Sequence, residues 1–296
     1  MVKAAILPAI AVCLIAAATP ASAQPRQTFV SGTGNDANPC SRTRPCRTLD
    51  RAITVVAAGG EVIVLDSATY GNSITIGKAL SIYAPPGVYA GIVQDGSVTG
   101  VTVAAPAGAA VVLSGLTIRR FSPTFGGRAI RFNSGGELHV ERSVIEGAFG
   151  DGIVAGAASA RFYLVDTLVR GGIDENAIDI AAATAFFDRV RVETTALEGL
   201  EVANARVSIR DSSFAGARNA GIAISTGGEV NVENSLFSLH GVALNVMSGG
   251  TVRVSNSTFF GNSIAVGGSG TRISFGNNRF AGNGSDGTFT STSPLR

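Results

Sequence analysis

VNVENSLF at Val230–Phe237 returns 22 residues later as VRVSNSTF at Val252–Phe259, and an earlier copy reads VSIRDSSF at Val207–Phe214. In each copy apolar and polar residues alternate over four positions, an Asn or Asp follows, and a phenylalanine closes the unit. Alternation marks a strand with one buried face, and Asn or Asp between two such runs marks a turn.

Outward from these copies, the closing position is held by Ile118, Ile145, Val169, Val192, Phe214, Phe237, Phe259 and Phe280, separated by 27, 24, 23, 22, 23, 22 and 21 residues. Seven residues before each stands a second inward candidate: Val111, Leu138, Phe162, Ala185, Val207, Val230, Val252 and Ile273. After each closing residue comes an apolar pair two apart: Ile130/Phe132, Ile153/Ala155, Ile178/Ile180, Leu200/Val202, Ile222/Ile224, Leu244/Val246 and Ile264/Val266. Residues two apart share one face of a strand. Strands this short cannot bury a core alone. Stacked at about 4.8 Å, successive copies bond strand to strand and enclose an apolar interior, so the chain reads as all-β, a coil of parallel strands. A propeller blade needs about 40 residues and a leucine-rich repeat its Leu/Asn consensus, and neither is present.

Three residues before the closing position runs a polar column, Asp166, Asp211, Asn234, Asn256 and Asn277, interrupted by Arg142 and Arg189. Asn and Asp bond nearby backbone in tight turns, so this column reads as structural. Thr48 to Ala58 carries apolar residues at helical spacing, with Thr48 as N-cap and Gly59-Gly60 as stop, and a short helix there would cover the open first rung. The far end is rich in Gly, Ser and Thr and reads as irregular. The expected organisation is a signal peptide at 1–23, an N-terminal extension and cap at 24–60, the β-helix at 61–281 and an irregular C-terminal tail at 282–296.

The signal reading rests on Lys3, the apolar run Ala4 to Ala18, shorter than the ~20 residues a membrane span needs, and the Ala21-Ser22-Ala23 cleavage site. Cleavage would remove Cys13 and leave Cys40 and Cys46, an even pair that favours a disulfide in an oxidising compartment; a two-Cys metal site is the rival, with no histidine close in sequence to complete it. The chain has 23 basic against 21 acidic side chains, a balance that does not point to nucleic acid, whose phosphates call for a clustered basic face. No later segment is apolar for long enough to span a bilayer, so a periplasmic or secreted protein without a transmembrane segment in its mature chain is expected.

The stretch Phe29 to Asn38 (FVSGTGNDAN), the following Cys-x5-Cys, Arg47-Thr48-Leu49 and the recurring units such as Val230 to Phe237 resemble the secreted β-helix repeat proteins of the pectate-lyase-like superfamily. The resemblance implies a single-stranded right-handed parallel β-helix, a three-sheet solenoid. In its terms the strand before the Asx column is the second sheet, the closing residues lie in the third and the Ile/Leu pairs in the first. It also implies that substrates bind beside the variable loops between third and first sheets, which here include Ser122 to Gly127 and Asp174-Glu175.

Two first-sheet columns carry the chemistry. Between the paired residues the outward positions are Arg131, Val154, Asp179, Glu201, Ala223, Asn245 and Ala265; at the loop end they are Arg128, Asp151, Asn176, Glu198, Ala220, Val242 and Asn262. Charge concentrates on the first four rungs. Carboxylates on adjacent rungs repel unless neutralised, and hard oxygen clusters suit Ca²⁺, so Asp151, Asp179, Glu198 and Glu201 are the candidate metal ligands. Arg128, Asn176 and Asn245 are the candidate polysaccharide contacts, and the resembling lyases point to Arg131 as catalytic base, although arginine holds its proton tightly. An ordinary solvated face with ion pairs across rungs explains the same charges. The signature sets of polygalacturonases and pectin methylesterases are absent, and His139 and His240 lie too many rungs apart to cooperate. The second-sheet outward column His139, Tyr163, Phe186 reads either as a platform of rings for sugar faces or as an aromatic ladder that stabilises the sheet, and in a chain without Trp the structural role is the one expected. The expected function is polysaccharide binding along the first sheet; the alternatives are a Ca²⁺-dependent polysaccharide lyase and a surface structural or adhesive protein.

Overall fold

The computed structural model describes residues 24–293 except 97, 121–125, 148–149 and 174; the expected signal peptide lies outside the described residues. The chain is a right-handed parallel β-helix. Among the described residues its strands form three parallel sheets of 10, 12 and 10 strands, each complete rung supplying one strand to each sheet.

The register follows the repeat. Ile130, Ile153, Ile178, Leu200, Ile222 and Leu244 stand opposite one another in the first sheet and are fully buried. The closing residues from Ile118 to Phe280 align in the third sheet. Along the later rungs they form an internal stack, with Phe214, Phe237, Phe259 and Phe280 spaced 5.4, 5.3 and 5.0 Å between near-parallel rings. Such stacking follows from placing one ring type at one register position on strands a little under 5 Å apart.

The Asx column has a backbone cause. Arg142, Asp166, Arg189, Asp211, Asn234, Asn256 and Asn277 all adopt φ between 46° and 55°, and Gly115, one rung earlier, is also left-handed at φ 77°. This left-handed residue turns each second-sheet strand into the third sheet, and Asn and Asp tolerate that conformation best among residues with a side chain. Just after it, Ser143, Thr167, Ser212, Ser235 and Ser257 form a buried hydroxyl column. The Ser235 hydroxyl accepts from the Ser212 amide at 3.2 Å and donates to the Glu233 carbonyl at 2.8 Å, which satisfies polar groups that water cannot reach.

The cap is a helix at Leu49–Val55, shorter than the sequence run, with Thr48 as N-cap accepting from the Arg51 amide. Asp36 ties the preceding loop to it, accepting from the Arg47 and Thr48 amides at 2.8 and 2.9 Å. Cys40 and Cys46 are joined by a disulfide. Among the described residues no helix is long and apolar enough to cross a membrane.

Three expectations are corrected. Gln27–Val30, placed in the extension, is the first strand of the second sheet, paired with Gly60–Val64. The tail is not irregular throughout: Ser285–Gly287 and Ser291–Thr292 add further strands to the first and second sheets. In the rung of Ile264–Gly268 Leu244 stands opposite Val266, so Gly267 takes the column position expected for Ala265, and Ile264, 38% exposed, falls at the loop-end position expected for Asn262. Ile273 likewise stands opposite outward-facing Arg253 and not in the core. The first-sheet strand keeps the 22-residue spacing of Ile222, Leu244 and Val266, so its inward positions lie two residues beyond those expected; the chain is shorter only in the next turn, where Val252 stands opposite Arg272, 20 residues on.

Candidate functional site on the first sheet

Small buried residues, Ala129, Gly152 and Ala177 among them, bring the chain sharply into the first sheet, so the residue just before each is held at the sheet's edge. There Arg128 meets Asp151 at 3.2 Å, with the Asp151 side chain only 8% exposed. One rung on, the nearly buried Asn176 spans two neighbours: its amide donates to Glu201 at 2.7 Å, and its carbonyl accepts from the Glu198 backbone at 3.3 Å. Glu198 in turn accepts from Asn219 at 2.9 Å.

Asp179 stands in the middle of this strip, opposite Glu201 in register. Burial, reinforced by the charges of Glu201 and Asp151 and partly offset by Arg128, pushes its carboxyl up to about 6. Perturbed carboxyls of this kind concentrate where a surface is built for binding or proton transfer.

The structure therefore brings together Arg128, Asp151, Asn176, Asp179, Glu198 and Glu201, and leaves two candidates aside. Arg131 has Thr102 and Val154 as column neighbours, neither charged, so two strand spacings, about 10 Å, separate its rung from that of Asp179. Arg128, not Arg131, is the arginine that acts on the carboxylates. Asn245 is parted from Glu201 by the buried Ala223. The loop residues Ser122 to Phe125 and Asp174 lie outside the described residues.

Calcium wants six to eight oxygen ligands around one point. Among the described residues no three His, Cys, Asp or Glu side chains are placed to hold a metal ion. Oxygens of Asp151, Glu198 and Glu201 already face a guanidinium and two amide donors, so as arranged this donor set does not fit the cation.

Asn219 escaped the sequence reading. Its column neighbours are Leu197 and Gly241, which share no chemistry with it, so no periodic signal marked the position. His139 and His240 do separate structural work. His139 stacks on Tyr163 at 4.3 Å, and Tyr163 on Phe186 at 5.1 Å, on the outer face of the second sheet. His240 is buried, accepts from the Ala217 amide at Nδ1 and meets the Phe214 carbonyl through Nε2; burial lowers its pKa, keeping it neutral.

A family model for the right-handed β-helix region matches residues 176–294. No curated protein matches the sequence. Among solved structures, XylC in complex with xylose superposes with a TM-score of 0.63 at 10% identity, covering 86% of this chain and 68% of its own. Pectate lyase Pel9A superposes at 0.53 and 15% identity, covering 92% and 79%. At such identities the likeness establishes the fold: this is a right-handed parallel β-helix protein with a pectate lyase among its structural neighbours.

Proposed function

We propose that the protein is exported and binds polysaccharide along its first sheet. One observation carries the reading: Arg128, Asp151, Asn176, Asp179 and Glu201 form a continuous, partly buried strip of donors and acceptors across four rungs, with the Asp179 carboxyl raised to about 6. Hydroxyls at sugar spacing meet such a strip rung by rung, and a longer chain would reach Arg131 and Asn245, outward positions of the same column set apart from the strip by Val154 and Ala223. Two structural neighbours, one complexed with xylose and one a pectate lyase, support a carbohydrate ligand. The disulfide supports an oxidising compartment.

Calorimetric titration with oligogalacturonate, alginate and xylan oligomers, with and without Ca²⁺, tests the proposal, and absorbance at 235 nm in the same mixtures reports any lyase product. At least one oligomer should bind, and Arg131→Ala and Asn245→Ala should each weaken it by roughly three- to tenfold, the loss of one exposed polar contact. Absence of heat with every oligomer, or identical heats for wild type and both variants, removes the proposal and favours a structural or adhesive role.

A further inference from the structure

We propose that a groove on the outer face of the second sheet binds a neutral sugar ring as the next member of the aromatic stack that ends at Phe186. The column running outward along this sheet is His139, Tyr163, Phe186, Ser208, Asn231, Arg253. Its first three rings lie nearly parallel, 12° and 13° apart, so each covers the face of the one before. At Ser208 the stack stops. The face of Phe186 turned toward that rung has only a small hydroxymethyl side chain beside it, and Phe186 is 37% exposed.

From that open face a groove of about 580 Å³ continues over Ser208 and Asn231 toward Arg253. The rungs of Phe186 and Arg253 are three strand spacings apart, about 14 Å, which leaves room for one or two pyranose rings. Cavities of roughly this size suit small ligands.

The polar groups select the chemistry. The cations along the groove are already matched: Arg210 bonds Asp188 at 2.8 Å and Arg253 approaches Glu229 at 3.3 Å, so no unspent positive charge invites an acidic ligand. Asp188 Oδ2 is held by Arg189 and Arg210, while its Oδ1, shielded from water, has no hydrogen-bond partner. A buried acceptor without a donor is costly, and a ligand hydroxyl supplies one once the carboxylate turns, its other oxygen being held only by exposed guanidiniums. Ser208 and Asn231, both exposed, add a hydroxyl and an amide on the groove floor. A flat C–H face for Phe186 together with several hydroxyls for Asp188, Ser208 and Asn231 describes a sugar better than an aromatic side chain, which offers the face without the hydroxyls.

The test uses the full chain with ¹³C-labelled phenylalanine, titrated by NMR with cellohexaose, maltohexaose and xylohexaose, and with phenol as the aromatic comparison. At least one sugar should shift the Phe186 ring signals saturably, and Phe186→Ala should weaken that binding about tenfold. Ser208→Phe, which puts a protein ring where the sugar ring would stack, should abolish binding while the melting temperature holds or rises, so loss of fold is not the cause. Arg131→Ala on the first sheet should leave the Phe186 response intact. Silence of Phe186 with all three sugars overturns the inference, as does a response that survives Ser208→Phe or one given by phenol and by no sugar. If a sugar binds with Phe186 silent and Arg131→Ala weakens it, the groove is refuted and the first-sheet reading stands.

Discussion

Replacing Asp179 with asparagine keeps the side chain's shape and removes its charge. In the native protein burial, followed by the charges of Glu201 and Asp151, lifts the carboxyl from 3.8 to about 6. At 1.36 kcal/mol per pH unit that shift corresponds to about 3 kcal/mol, which solvent screening at a partly exposed site reduces to about 1–2 kcal/mol. Below pH 3.8 the group is protonated in both folded and unfolded chains and costs nothing. Between 3.8 and about 6 the unfolded chain ionises while the folded one keeps its proton, so stability falls as pH rises, and above about 6 the loss is complete. Asp179→Asn escapes that loss. Relative to wild type it should gain about 1–2 kcal/mol at neutral pH compared with its standing near pH 3.5. Urea unfolding followed by circular dichroism at both pH values measures the difference, and a ¹³C titration of the Asp179 carboxyl measures the midpoint directly. An equal difference at both pH values, or a midpoint near 4, would refute the reasoning and leave the strip an ordinary solvated face.

Two further outcomes follow from the core and the turns. Phe237→Ala removes a fully buried ring from between Phe214 and Phe259 and should cost about 3–5 kcal/mol in chemical unfolding; a loss below about 1 kcal/mol would mean that the stack closes over the gap. Asn256, at φ 51°, should accept glycine with little change, whereas Asn256→Val should lose about 1–3 kcal/mol because a β-branched residue resists the left-handed conformation; equal melting temperatures for the two variants would show that the turn is not confined there.

The rungs were legible because stacking translates one strand onto the next, so one environment recurs at one sequence offset. Val230 and Val252 share a register position, as do Asn234 and Asn256 with their positive φ. The first-sheet strip was legible for the same reason as far as Glu201. Legibility failed where the translation did. The turn between Gly268 and Thr271 is short, which puts Arg272 and not Ile273 opposite Val252, and Asn219 reaches Glu198 from a position whose column neighbours differ in kind.

Residue order by itself determined the all-β coil, the inward and outward faces of its strands and the even pair of cysteines, because each depends on spacing along the chain. Which side chains meet depended on the tertiary structure. That Arg128 and not Arg131 faces the carboxylates, that Asn176 bridges Glu198 and Glu201, and that the ladder ending at Phe186 opens into a groove are facts of distance between rungs. Charge placement along a column names the candidates, but burial and partner geometry set the pKa of Asp179 and the unmet acceptor of Asp188, and neither exists until neighbouring turns of the coil close over them.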